Sequence, residues 1–163
     1  MLTEEIYNLD TKENCPVIVL PWFYNCRVLI DTGSTIPMWL KSIIPLKMKG
    51  AVQQNRQIEL SGIGGKTSGT LYKVNFDFGN IHFKDLPIIH KEIKVADAYM
   101  ILPATLFENM IYEINNIEHT FKVKVDNNSY YRQFKIKDND GNPYVYLANT
   151  YRTEEEYYSH VTS

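Results

Sequence analysis

Four consecutive residues, Asp31, Thr32, Gly33 and Ser34, are the part of this chain best suited to chemistry, because they place a carboxylate in a sharp turn directly after the apolar residues 28–30. A carboxylate at the end of a buried strand is partly removed from water, and there it can accept and return a proton during a reaction. Such a group can activate a water molecule. Asp, Gly and Ser also form ordinary polar turns, so the tetrapeptide by itself leaves both interpretations open.

The composition indicates a single folded domain. The chain has 163 residues, of which 44% are hydrophobic and 13% aromatic, and these fractions are typical of a globular protein rather than of a disordered segment. The formal net charge is -2, and Lys and Arg form no dense cluster. A phosphate-binding surface needs such a cluster, so we expect no nucleic-acid partner.

The sequence also carries expectations about location and cofactors. Residues 1–5 are acidic and lack the order of a signal peptide, and no apolar run reaches the roughly 18 residues of a membrane span. We therefore expect a cytoplasmic protein with no membrane partner. In that compartment Cys15 and Cys26 are predicted to be buried thiols rather than a disulfide. The His residues lack metal-ligand spacing, so we expect no metal and no cofactor.

Strand patterns dominate the chain and predict an all-β fold. Short apolar or alternating segments predict strands at residues 16–20, 26–30, 35–40, 57–60, 70–78, 81–83, 86–89, 99–102, 111–114, 120–125, 133–137 and 144–147. The glycine-rich residues 61–69 are predicted to be the mobile tip of a long hairpin. Proline is well tolerated in the first turn of a helix, so Pro103 predicts one short helix near 103–110.

Three separated segments stand in the order found in retropepsins, the single-domain aspartic proteases of retroviral type. Residues 28–35, Val-Leu-Ile-Asp-Thr-Gly-Ser-Thr, resemble the catalytic loop of that family. Residues 62–65, Gly-Ile-Gly-Gly, resemble the tip of its flap, and residues 100–107, Met-Ile-Leu-Pro-Ala-Thr-Leu-Phe, resemble the apolar strand and short helix that follow. Agreement of all three in order is much rarer by chance than the tetrapeptide alone, and it covers roughly residues 15–115.

This resemblance implies a fold and a domain organisation. The fold would be a small closed β-barrel of the acid-protease type, with a flap hairpin, the short helix near 103–110 and a C-terminal β-hairpin. Residues 1–125 would form the protease domain. Residues 126–163 would add a hairpin extension with a polar tail, which could serve as a dimerisation sheet, cover the cleft or regulate access.

The resemblance also implies a function, that of an aspartic endopeptidase acting as a homodimer. Peptide hydrolysis by this route needs two carboxylates that share a proton, and one chain supplies one of them. The two copies of Asp31 would meet on the two-fold axis, and an extended peptide or protein substrate would add as a strand under the flap. The resemblance assigns catalysis to Asp31, Thr32 and Gly33, and substrate binding to Ser34, Gly62, Ile63, Gly64, Gly65 and Ile101.

The sequence departs from the family pattern at two places. Pro103 stands where the family usually has Gly, and no Arg follows it. Thr35 and Ile36 stand where viral members often carry an acidic residue. A second interpretation is therefore a catalytically inactive dimeric module of the same fold that binds peptides or acts as a scaffold. A third is an unrelated all-β domain in which residues 31–34 are only a turn.

Overall fold

A computed structural model shows a chain built almost entirely of β-strands, which confirms the predicted all-β class. The structure describes residues 3–10, 16–31, 34, 36–42, 49–62, 65–108, 110–125, 130–138 and 140–151. Its strands are β1 Thr3–Asp10, β2 Val17–Leu20, β3 Cys26–Asp31, β4 Met38–Trp39, β5 Lys49–Gly62, β6 Gly65–Phe78, β7 Ile81–His90, β8 Met100–Pro103, β9 Ile111–Asn115, β10 Thr120–Val125, β11 Tyr130–Lys137 and β12 Pro143–Tyr151. A 3₁₀ helix spans Ala104–Phe107.

The described strands form one hydrogen-bonded sheet in the order β11-β12-β7-β4-β8-β3-β2-β1-β10-β9, and the hairpin of β5 and β6 joins it where β6 pairs with β7. Most neighbouring strands are antiparallel, but β3 with β8 and β4 with β7 are parallel pairs. The path of these strands does not return on itself. The closed barrel that the resemblance implied is therefore not observed in the described part of the chain.

Aromatic side chains join the helix to two distant parts of the sheet. Phe107 of the 3₁₀ helix lies 5.6 Å from Phe78 of β6 and 5.5 Å from Phe121 of β10, measured between ring centroids. Tyr7 of β1 packs on the same Phe78 at 4.8 Å. All four residues are buried, and buried aromatic rings contribute strongly to the stability of a core. The segment that follows β8 is thus fixed to the core through Phe107.

The sequence patterns do not predict β1. Glu, Asn and Asp are poor strand formers, and they make up half of this segment. In the structure β1 nevertheless pairs with β10 over six residues and continues to pair with β2. Tyr7 is its buried side chain, and burial together with the neighbouring carboxylate of Glu5 raises the pKa of Tyr7 well above its ordinary value. Pairing on both edges outweighs the low intrinsic propensity.

The long hairpin is more regular than the sequence predicts. Pairing between β5 and β6 continues through residues 61 and 66 to Gly62 opposite Gly65, so most of the glycine-rich segment is strand rather than a loose tip. The segments predicted at 81–83 and 86–89 are likewise one strand, β7. Asp85 has a φ of 60° between those two segments, and this kink accounts for the break in the apolar pattern.

Two elements after the turn at residue 31 are shorter than predicted. The strand expected at 35–40 is limited to β4, Met38–Trp39. The helix expected near 103–110 is the four-residue 3₁₀ helix, because Pro103 is still extended as the last residue of β8 and Glu108 is extended again with a ψ of 138°. The observed helix therefore differs from the predicted one in type and in length. A helix begins at the predicted place.

The C-terminal extension forms the predicted hairpin of β11 and β12, which pair from Tyr130 opposite Thr150 to Lys137 opposite Pro143. β12 also pairs with residues 82–84 of β7, so the extension continues the sheet of the preceding residues. A domain boundary at residue 125 stays a prediction. The polar tail from residue 152 onward lies outside the described residues.

Two further expectations concern cysteines and membrane spans. Cys26 is a buried free thiol, as predicted, whereas Cys15 lies outside the described residues. No helix in the described part of the chain has the length and apolar character needed to cross a bilayer.

The turn between β11 and β12 generates a pH prediction. The Asp138 carboxylate accepts backbone hydrogen bonds from Asn142 at 2.9 Å and Asp140 at 3.0 Å, and the bond from Asn142 is the main reason that its pKa lies below the ordinary 3.8. A lowered folded pKa means that these bonds stabilise the turn fully above pH 3.8 and lose that effect as the pH falls through the lower value. We expect the amide NMR signal of Asn142 to titrate with a midpoint below 3.8.

The control for this titration is Asp138→Asn, which keeps the side-chain oxygen but removes the ionisation. In this variant the amide signal of Asn142 should lose the response to acid that the Asp138 carboxyl group causes. A midpoint at or above 3.8 in the unmodified chain would contradict the assignment.

Candidate active site

The carboxylate of Asp31 stands at the end of a central strand. Asp31 is the last residue of β3 and is half-buried, while the three residues before it, 28–30, are buried. β3 is paired on both edges, with β2 antiparallel and with β8 parallel. The amide of Ile30 adds a bond to the carbonyl of Pro16 at 2.9 Å. The backbone that presents Asp31 is therefore held firmly, as a reacting group requires.

The chain turns sharply directly after Asp31. The backbone N–H of Ser34 donates to the carbonyl of Asp31 at 3.1 Å, and the hydroxyl of Ser34 donates to the carbonyl of Ile36 at 3.2 Å. The structure thus brings Ser34 beside Asp31, as the sequence predicts for one loop. The other predicted catalytic residues, Thr32 and Gly33, lie outside the described residues, and their roles stay predictions.

β8 lies between the two legs of this turn. One leg is β3, which pairs with β8 in parallel up to Asp31 opposite Pro103. The other leg is β4, which pairs with the opposite edge of β8 through Met38 and Trp39. A strand bonded on both edges resists displacement, because any movement would expose unpaired backbone groups. β8 consequently fixes both the entrance and the exit of the turn that carries Asp31.

Ile101, a predicted substrate-binding residue, lies in β8 between β3 and β4. It pairs with Leu29 of β3 on one side and with Met38 of β4 on the other, and its side chain is buried. Its position is therefore two residues from the level of Asp31. Its contact with substrate stays a prediction.

The predicted flap residues lie at the end of a projecting arm. We call residues 57–70 the hairpin arm, because the pairing of β6 with β7 ends at Thr70 opposite His90, whereas pairing with β5 continues to Gly62 opposite Gly65. Gln57 Nε2 donates to Thr70 Oγ1 at 2.9 Å across the base of the arm. Ile63 and Gly64, the predicted tip, lie outside the described residues.

The C-terminal extension touches the base of the hairpin arm. Ile58 of β5 forms an isolated antiparallel bridge with Asp138, the first residue after β11, and the side chain of Ile58 is buried. No local pattern could have indicated this contact, since it joins residues far apart in the chain. The bridge brings the extension to the arm on which the predicted flap residues lie.

Among residues 3–151, leaving out those the structure does not describe, no three His, Cys, Asp or Glu side chains are grouped so as to hold a metal ion. The chemistry that the arrangement can perform is that of a positioned carboxylate. A second carboxylate from another chain stays a prediction of the sequence.

Comparison with known proteins yields one structural likeness. No protein-family model and no curated protein sequence matches the chain. The fold is similar to the crystal structure of a retropepsin-like aspartic protease from Rickettsia conorii, with a TM-score of 0.46 and 12% identity over 77% of this chain and 92% of that chain.

The central position of β8 between β3 and β4 leads to a prediction about stability. Leu102 is the β8 residue opposite Ile30, and its side chain is fully buried. Leu102→Ala should lower the free energy of unfolding by about 2–5 kcal/mol, because it leaves a cavity in a packed core. Urea denaturation followed by tryptophan fluorescence measures this loss.

Ile111→Ala is the matched control for the same removal of an aliphatic side chain. Ile111 is 63% exposed on β9, so its loss should change the free energy of unfolding by less than about 0.5 kcal/mol. Equal effects at the two positions would contradict the role of β8 as a buried central strand.

Proposed function

We propose that the chain is an aspartic endopeptidase of retropepsin type, which hydrolyses peptide bonds as a homodimer through one Asp31 from each copy. The observation that carries the proposal is the placement of Asp31 at the end of a buried, doubly paired strand, in a turn whose two legs are both bonded to β8. That placement supplies the rigid, partly desolvated carboxylate that the tetrapeptide motif suggests.

The proposed reaction uses the two carboxylates in complementary protonation states. Two carboxylates in close contact cannot both be ionised, so one holds a proton that the other lacks. The ionised one removes a proton from water as the water oxygen attacks the peptide carbonyl carbon, and the protonated one donates to the carbonyl oxygen. The carboxyl group that took the proton from water then donates it to the leaving nitrogen as the C–N bond breaks. The other carboxylate removes a hydroxyl proton from the tetrahedral intermediate as the new carbonyl forms, which restores the starting protonation states.

The loop residues have positioning roles in this proposal. Thr32 would bond across the two-fold axis to the other loop, and Gly33 would let the backbone approach the substrate. The Ser34 hydroxyl, which donates to the carbonyl of Ile36 in the structure, would turn to donate to the outer oxygen of the carboxylate. Each role keeps the reacting groups within the narrow geometry that proton transfer requires. The backbone N–H of Ser34 bonds the carbonyl of Asp31 at 3.1 Å, and this bond supports the proposal because it keeps the two residues close together in one loop.

The hairpin arm would cover the substrate. An extended peptide would add as a strand beneath it, with backbone bonds from the tip residues Gly62, Ile63, Gly64 and Gly65, and Ile101 would contribute to the apolar side of the cleft. Closure over the peptide would exclude water other than the reacting molecule. The projection of the arm beyond the end of β7 pairing supports this role.

Asp31→Asn tests the proposal directly. The amide keeps the size of the side chain but cannot act as the base, so cleavage of a mixed peptide library between pH 4 and 7 should fall by about a thousandfold or more. The circular dichroism spectrum and the dimer mass should not change.

The control variant is Asp85→Asn. Asp85 is exposed on β7 with a φ of 60°, a conformation that Asn tolerates well, so this change removes a carboxylate without disturbing the fold. Its cleavage rate should equal that of the unmodified chain. Cleavage that persists in Asp31→Asn at the unmodified rate would overturn the assignment.

A catalytically inactive peptide-binding or scaffold dimer is the second candidate. The observation that favours it is the bridge between Ile58 and Asp138, because a restrained arm suits stable binding better than repeated opening. This candidate predicts no cleavage by the unmodified chain, together with binding of extended peptides that Asp31→Asn does not weaken.

A further inference from the structure

A second concave site lies at the opposite end of β3 from Asp31. This pocket encloses about 250 Å³ and is lined by Phe23, Tyr24, Cys26, Trp39, Lys41, Ser42 and Tyr99. Cys26 begins β3 and Asp31 ends it, so the rise of an extended strand separates the two by roughly 17 Å. We call this the aromatic pocket. It is distinct from the candidate active site.

Rings that contact one another form the wall of the aromatic pocket. Trp39 meets Phe23 at an angle of 62° and Tyr99 at 85°, with ring centroids 6.2 and 6.3 Å apart. The ring centroid of Tyr24 lies 5.8 Å from that of Phe23. Phe23 and Trp39 are buried, whereas Tyr24 is 64% and Tyr99 40% exposed. The pocket therefore has a buried apolar interior and a mouth formed by two tyrosines.

Hydrogen bonds from the backbone and from one histidine side chain hold this wall in place. The N–H of Tyr99 donates to the carbonyl of Arg27 at 2.8 Å, and the carbonyl of Tyr99 accepts from Leu40 at 2.8 Å. Nε2 of His90 donates to the carbonyl of Lys41 at 2.5 Å. A pocket that is already formed binds a small molecule with little ordering cost.

Among the described residues that line the pocket, Lys41 carries the charged side chain. Its ammonium lies 4.7 Å from the centroid of Tyr99, over the ring face. The cation-binding face of that ring is thus already occupied, and a cationic ligand would meet a like charge. Burial raises the pKa of the Cys26 thiol to about 12, so this residue is neutral and adds no negative charge to the pocket. The pocket therefore favours a ligand that carries a negative charge.

We propose that the aromatic pocket binds a small aromatic carboxylate, with the ring packed against the wall formed by Phe23, Trp39 and Tyr99 and the carboxylate on the ammonium of Lys41. The pocket volume of about 250 Å³ is small for a ligand site, and it suits a ligand with a single ring or two fused rings. The Ser42 hydroxyl at the same pocket supplies a neutral hydrogen-bond donor for the second carboxylate oxygen.

Titration of the ¹⁵N-labelled full chain with 2-naphthoate tests this proposal. A ligand of about 13 non-hydrogen atoms should bind with a Kd of about 1 mM or tighter, with the largest amide shifts at the lining residues. The uncharged isostere 2-naphthylmethanol should bind about fivefold more weakly, and 2-naphthylmethylamine more weakly still, because the first lacks the ion pair and the second meets a like charge.

Two lysine variants locate the source of the charge preference. Lys41→Met should weaken binding of 2-naphthoate about fivefold and leave 2-naphthylmethanol unchanged. Lys135→Met removes an exposed lysine on β11 and should change neither affinity. Tyr99→Ala should weaken both ligands, because it removes part of the wall that they share.

Three results would overturn the proposal. The first is that 2-naphthoate causes no saturable shift of the amide signals of the lining residues. The second is that the unmodified chain binds the acid and the alcohol with equal affinity. The third is that Lys41→Met binds 2-naphthoate as tightly as the unmodified chain does. The comparison of acid with alcohol uses the unmodified chain, so it decides the question even where a variant fails to fold.

An aromatic carboxylate can be a free acid or the C-terminal residue of a peptide. A pentapeptide ending in Phe, with a free and with an amidated C-terminus, separates the two sources. Binding of the free form at the affinity of 2-naphthoate or better assigns the pocket to chain ends, and binding of 2-naphthoate alone assigns it to free acids.

Discussion

The pairing of β8 with both β3 and β4 is the constraint on which the rest of the structure depends. These three strands put the two legs of the Asp31 turn on opposite edges of one buried strand. β8 in turn leads through Pro103 into the 3₁₀ helix, whose Phe107 packs between β6 and β10. The backbone of a candidate catalytic residue is thus tied to the core by hydrogen bonds along two strands and by one aromatic cluster.

Local patterns predicted most strands and the position of the candidate site, because the apolar segments before Asp31 and before Pro103 are short, strong and bounded by turn residues. They failed where partners outweigh propensity. β1 is rich in Glu, Asn and Asp yet pairs on both edges, and the glycine-rich half of the hairpin stays in register through Gly62 and Gly65. The bridge from Ile58 to Asp138 and the aromatic pocket gather residues that are distant in sequence, so no local spacing could indicate them.

The two ends of β3 have different surroundings. The Asp31 end carries a half-buried carboxylate in a tight turn, and the Cys26 end carries a neutral thiol among aromatic rings with a lysine at the mouth. The extension adds a further connection, since it pairs with β7 and reaches the hairpin arm at Ile58. A proposed protease with this layout would have its substrate-covering arm in contact with a C-terminal element, so that a contact outside the cleft bears on access to it.

The central claim is that each copy of Asp31 supplies half of a shared catalytic pair. Co-refolding equal amounts of unmodified and Asp31→Asn chains tests it most directly, with cleavage compared to the same total amount of unmodified chain. Random pairing leaves about one quarter of the dimers with two intact aspartates, so a catalytic pair shared between two chains predicts about one quarter of the activity. A residual activity of one half would mean that each chain works independently, and it would contradict the account.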